Sequence, residues 1–142
     1  MEVSQFALTS LKRMTILAMQ AASQRHGMAL DGEQELLVHL AKLLQDCFAV
    51  DSAVARTLQR QASGEREAVA PAICAVAAVE AAERGALVTR RALISCYPGD
   101  QSVVWIAKLD KVATDLPITL VPWRRAIAAA AVDNKGYKLA TY

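Results

Sequence analysis

Apolar residues along this chain recur at steps of three and four, the spacing that returns side chains to one face of an α-helix. From Val3 to His26, the positions Val3, Ala7, Leu11, Met14, Ala18 and Ala21 form such a stripe, with Gln5, Thr9, Lys12, Gln20 and Gln24 largely elsewhere. Ile16 and Met19 widen the apolar surface beyond that stripe, so this helix calls for two neighbours, or one neighbour and a second subunit. Gly27 follows as an end signal, because glycine accepts the left-handed backbone that closes many helices.

The next segment carries the clearest periodicity. Leu36, Leu40, Leu43, Cys47, Val50 and Val54 form a heptad seam, flanked by a ridge at Leu37 and Leu44. Asp31 is the expected N-cap, Glu33 and Glu35 suit the first turn, and the helix should close near Gln61 before a link through Gly64. A third helix is expected from Glu65 or Glu67 to about Ser95, with Pro71 in its first turn and Gly85 as a candidate break or close contact.

The turn residues of "YPGD", 97–100, end that helix, and Asp100 is placed to cap the next. A short fourth helix spans 101–115, with Val104, Ala107 and Val112 on its apolar side and Trp105 and Leu109 beside it. Thr119 is a candidate N-cap for a fifth, from about Leu120 to Val132. No period-two strand pattern of useful length interrupts this order. The expected fold is all-α, an up-and-down bundle of about five helices occupying residues 1–137, with 138–142 as a loosely held tail.

Composition sets what fills such a bundle. Aromatics are 5% of the chain against 54% apolar residues overall, so Ala, Leu, Val and Ile must build the core. The net charge of +2 is too small for a dedicated nucleic-acid surface. Arg90, Arg91, Arg124 and Arg125 are the strongest basic positions, and a solvated face accounts for them. Cys47, Cys74 and Cys96 are far apart and lack any CxxC, which fits reduced thiols and a cytoplasmic location. No apolar run reaches the roughly 18 residues of a membrane span, and Lys12, Arg13 and Arg25 inside the first apolar pattern argue against a secretory leader.

Candidate chemistry is sparse. Glu35 and His39 lie one turn apart, but a di-iron bundle needs two Glu-x-x-His pairs with two further carboxylates, and the chain has no Glu-x-x-His. Glu80 and Glu83 read as a wet ridge beside Arg84, and Cys96 lacks an identifiable base. Neither a Ser-His-Asp order, a P-loop nor a dinucleotide fingerprint occurs, so no catalytic, cofactor or metal residue is expected. Trp105 and Trp123 suit core gaps better than partner anchors, although Arg124 and Arg125 beside Trp123 favour an interface there.

Taken in order, "SLKRMTILAMQAASQRHG", "GEQELLVHLAKLLQDCFAVDSAVART", "YPGD" and "TDLPITLVPWRRAIAAAAV" resemble the additional C-terminal helical domain of the larger, very-long-chain-like and bacterial acyl-CoA dehydrogenases, from about Ser4 to Tyr137. Lys42 stands where that family usually has Asp, and Phe48 and Val50 replace its Tyr and Met. The resemblance implies fatty-acid oxidation by a parent enzyme that uses FAD, with flavin and catalytic base supplied outside this chain. It also implies a packing module whose partners are a second copy or a dehydrogenase core, with peripheral membrane association as a further implication. On this reading the candidate interface residues are Ile16, Met19, Trp123, Arg124 and Arg125. The initial Met1 favours a separate reading frame over a fragment. The alternative expectation is a self-contained bundle that holds an apolar acyl ligand.

Overall fold

A computed structural model describes residues 1–64, 69–113 and 118–133. These form five α-helices: α1 (Glu2–His26), α2 (Gln34–Ala62), α3 (Val69–Cys96), α4 (Ser102–Val112) and α5 (Val121–Asp133). Two short 3-10 turns, Gly27–Gly32 and Gly99–Gln101, precede α2 and α4. No strand occurs among the described residues. The bundle is all-α, as the periodicity requires. The expected tail and the 137 boundary lie outside the described residues.

Cross-links fix the directions of the helices. Thr15 bonds Cys47 and Lys12 pairs with Asp51, so α2 runs antiparallel to α1. Gly85 faces Leu11 and Met14, while Arg25 lies over Tyr97, so α3 runs parallel to α1. Tyr97 stacks on Trp105 and Arg90 reaches Asp110, which turns α4 back along α3. The up-and-down order therefore holds through α4, and α5 lies against α3.

The core is organised around α1 and α3. Ser4, Ala7, Leu11, Met14, Ala18 and Ala21 are all buried along α1. Along α3 the buried positions Ala75, Ala78, Ala82, Gly85, Thr89, Ala92 and Cys96 repeat at steps of three and four. Small side chains on this α3 ridge let the two backbones approach closely, and the bulk that fills the space comes from Leu11 and Met14. A Cβ on Gly85 would run into Leu11 Cδ1 and would touch Met14 Cε at 3.4 Å and Leu43 Cδ2 at 3.8 Å. Gly85 therefore marks a close contact, and α3 continues through it unbroken. Its cost in helix propensity, about 1 kcal/mol against Ala, is offset by the packing it allows.

On α2, Leu36, Leu40, Leu43, Val50 and Val54 are buried, with Cys47 half-buried at the rim. The heptad seam is thus the face that closes the α1–α3 pair from one side. Pro71 falls in the first turn of the described α3, where its missing N–H leaves no intrahelical bond unmade.

Helix ends depart from expectation at two places. Asp31 does not cap α2, because Leu30 to Gly32 continue a 3-10 turn from Gly27, whose φ is 53°. Glu33 holds the N-cap position instead, and its carbonyl accepts from the Leu37 N–H at 2.9 Å. Asp100 likewise sits within a 3-10 turn, and α4 starts from Gln101, with the Ser102 hydroxyl donating to the Gly99 carbonyl at 2.7 Å. Thr119 Oγ1 accepts from the Val121 N–H at 3.4 Å, a long bond at the entry of α5, while the Leu120 carbonyl accepts from Arg124.

The apolar face of α4 is also rotated from the expected one. Trp105 and Leu109 are buried, whereas Val104 and Ala107 are exposed. Large side chains at 105 and 109 fill the space beside α1 and α3 that the smaller Val104 and Ala107 would leave open. Ser10 Oγ donates to the Val112 carbonyl at 2.8 Å and fixes the far end of α4 to α1.

Two neighbouring residues on α2 make a test of inside against outside. Leu43→Ala is expected to lower unfolding free energy by about 2–5 kcal/mol. Phe48→Ala, at an exposed position, is expected to change it by about 0.5 kcal/mol or less. Urea melts of both variants check this directly.

Candidate functional site

The candidate interface residues fall in two separate places. Ile16 and Met19 are exposed on α1, on the side where that helix meets α2. Trp123 is half-buried on α5, Arg125 is exposed, and Arg124 donates to Glu80 Oε1 of α3 at 2.6 Å. The structure does not bring these two groups together. Arg124 is committed to holding α5 on α3, and Arg90 is paired with Asp110, so two of the four basic positions are already matched by carboxylates.

Next to Ile16 and Met19 lies a second stripe that the sequence reading caught only in part. Leu37, Ala41, Leu44, Phe48, Asp51 and Ala55 follow α2 at steps of four and three, one position on from the buried seam, and all are exposed. Leu37 and Leu44 are legible as a ridge. Phe48 is not, because in one dimension it reads as an apolar neighbour of Cys47, yet it stands 77% exposed. Across the groove, Lys12, Ile16, Met19 and Ser23 repeat at the same spacing on α1. The Lys12–Asp51 pair, at 2.7 Å, is where the two stripes meet. One turn further along each antiparallel helix comes Ile16 beside Phe48, and then Met19 beside Leu44.

A different kind of cluster lies where α1 and α3 end. Tyr97 and Trp105 stack with centroids 5.2 Å apart at 17°, the Arg25 guanidinium covers the outer face of Tyr97 at 5.8 Å, and Lys108 Nζ covers Trp105 at 4.1 Å. This four-part stack ties the "YPGD" corner to α1 and to α4 through cation–π and ring–ring attraction. Beside it, His26 Nδ1 stands 3.4 Å from Glu33 Oε1, joining the end of α1 to the start of α2. Trp105 is thus a core residue, as its preference for a core gap over a partner anchor led one to expect, with a structural task at this corner.

Glu35 is exposed and His39 half-buried on α2, and no group of three metal-capable side chains occurs among the described residues. Glu80 is tied to Arg124, and Glu83 is exposed. Burial pushes the Cys47 thiol up from its ordinary range, partly opposed by its bond to Thr15 and the charge of Lys12. Burial also raises the Cys96 thiol, against the nearby Arg25. A raised thiol is a weaker nucleophile at neutral pH, the opposite of what covalent catalysis requires.

One common dinucleotide site is a glycine-lined turn opening onto a helix N-terminus free of negative charge. Here Glu33 and Glu35 occupy the start of α2, and Asp100 precedes α4. The interior between α1, α2 and α3 is filled by Leu11, Met14 and Leu43, each at most 1% exposed. The wide apolar faces of α1 and α3, which also suggested a pocket for an acyl chain, are turned on each other.

The described residues thus form an all-α bundle with a buried α1–α3 core and apolar stripes on its outer side. Residues 10–111 match the family model described as acyl-CoA dehydrogenase, C-terminal domain, and the chain belongs to that family. It is 26% identical over 139 residues to a probable acyl-CoA dehydrogenase of Bacillus subtilis (strain 168), a match covering 96% of this chain and 23% of that protein. It also resembles the crystal structure of an acyl-CoA dehydrogenase complexed with FAD from Bacillus anthracis, with a TM-score of 0.86, 26% identity, and coverage of 93% of this chain and 23% of that one. The chain therefore spans about a quarter of the length of these relatives.

The thiols give a measurable consequence. Their folded-state pKa lies above the unfolded value of about 8.5, so the unfolded chain releases these protons first. Their contribution to stability is complete below that pH and is lost as pH rises through the folded pKa. The melting temperature of the wild-type chain is expected to fall more steeply between pH 8 and pH 10 than that of a Cys47→Ala/Cys96→Ala variant. Parallel slopes in the two thermal series would contradict the assignment.

Proposed function

We propose that this chain is a non-catalytic packing and assembly module for an FAD-dependent acyl-CoA dehydrogenase of fatty-acid oxidation, working beside a catalytic region that supplies flavin, base and acyl site. The observation that supports this most strongly is the combination of a filled core with a match that accounts for 23% of relatives named as acyl-CoA dehydrogenases. In such an arrangement the module acts by burying surface and fixing orientation, and the chemistry of dehydrogenation belongs to the remaining three-quarters. A cytoplasmic or membrane-peripheral setting is compatible with helices of which none among the described residues is long and apolar enough to cross a bilayer.

The reading is tested on the purified 142-residue chain. It is expected to be colourless, to oxidise no acyl-CoA with an added electron acceptor, and to melt within about 1 °C of its own Tm when saturated with acyl-CoA, since a ligand that binds only the folded state raises stability by mass action. Flavin absorbance that survives gel filtration, or a rise of several degrees with acyl-CoA, would overturn it and favour a self-contained ligand-binding bundle.

A further inference from the structure

We infer that the paired stripes on the outer side of α1 and α2, centred on Ile16, Met19, Leu44 and Phe48, are the surface on which this module seats the catalytic region of its dehydrogenase. The inference rests on the proposed function and gives it a location.

The first observation is exposure. Ile16 is 65% exposed, Phe48 77%, Met19 45% and Leu44 48%, and the antiparallel register set by Lys12–Asp51 places them side by side. The largest contiguous apolar patch on a folded chain is often functional. The second is charge. Of the ten exposed positions on the two stripes, two are charged, the share found in the whole chain at 21%. Along these stripes the charges are Lys12 and Asp51, which neutralise each other at 2.7 Å. With that pair confined to one end, the middle of the stripes carries Phe and Met without charge, the composition of an interface centre. It is poorly suited to an anionic lipid surface, which selects unpaired Lys and Arg around the apolar side chains.

Area selects between a second copy and a tethered partner. From Leu37 to Ala55 the α2 stripe runs about 27 Å at ~1.5 Å per residue, and two helices ~8–10 Å apart with their side chains give a width of about 20 Å. The matched interface would bury roughly 1,100 Å² in total, short of the ~1,200 Å² at which specific complexes of separate proteins begin. It falls inside the ~600–1,500 Å² typical between domains of one polypeptide. The relatives carry this module within chains some four times longer. A covalent tether, or an equivalent fixed neighbour, raises the effective concentration enough for such a modest surface to stay closed.

The test compares solvent access at the stripe in two states. The chain is tagged at its own chromosomal locus, the flavin-containing species that carries it is isolated, and hydroxyl-radical oxidation is followed by mass spectrometry beside the isolated chain. Phe48 and Met19 are expected to oxidise about tenfold more slowly in the flavoprotein, because an interface centre excludes water. Met28, 98% exposed and off the stripe, is expected to oxidise equally in both. Ile16→Glu/Phe48→Glu is expected to leave the isolated chain's Tm unchanged and to lower that of the flavoprotein. Equal oxidation of Phe48 and Met19 in an intact flavoprotein would overturn this surface while leaving the proposed function standing. Protection of the same residues in the isolated chain as a dimer, or on vesicles of anionic phospholipid, would assign the surface to another occupant and overturn it too. A chain recovered with no flavin species at all would defeat the proposed function, and this inference with it.

Discussion

The fold depends on one close approach, that of α1 to α3 at Gly85. Glycine leaves a notch in the α3 ridge, Leu11 and Met14 enter it from α1, and Leu43 of α2 closes on the same spot. Three helices that are far apart in sequence meet there within van der Waals distance. The small residues on either side of Gly85, from Ala75 to Ala92, hold the two backbones near enough for the notch to be filled. An Ala-rich chain with few aromatics has no other source of bulk to fill a wider gap, so its stability follows from proximity more than from large side chains.

From that centre the remaining elements take their places as covers. α2 lies over one side of the α1–α3 pair with its leucine seam, and α4 lies over another with Trp105 and Leu109. α5 adds to α3 through a partly buried Trp and an exposed ion pair, a contact of the kind that contributes at most about 1 kcal/mol. What the covers leave uncovered is as informative as what they bury. Leu11, Met14 and Leu43 occupy the interior between α1, α2 and α3, and the outer side of α1 and α2 keeps apolar side chains in water.

Much of this was legible in one dimension. The α2 seam was readable because period and composition agreed over the same stretch, from Leu36 to Val54. The α1 stripe was readable for the same reason, and both segments carry part of the family resemblance. Helix ends were less so: Asp31 and Asp100 have the right chemistry for caps, but each is held in a 3-10 turn that moves the helix start one or two residues along. On α4, Val104 and Trp105 are equally apolar to a periodicity count, and only the depth of the space beside α1 and α3 selects the tryptophan. Gly85 was ambiguous because a glycine in a helix reads the same whether it breaks the helix or admits a neighbour. Phe48 was hidden by Cys47, since a seam and a stripe one residue apart merge into a single run. The pairing of Ile16 and Met19 with Phe48 and Leu44 required the antiparallel register of two helices, which spacing within either one does not contain.

The most direct measurement is a double-mutant cycle between Leu11 and Gly85, read by urea unfolding. Gly85→Ala alone is expected to fall short of the ~1 kcal/mol gain that an open helical site would give and to be neutral or destabilising, because its methyl group meets Leu11. In a Leu11→Ala background the same change is expected to recover that gain, which gives a coupling of about 1–3 kcal/mol between the two sites. Additive effects would contradict the account, since they would mean that Leu11 does not occupy the notch and that α1 and α3 are held together elsewhere.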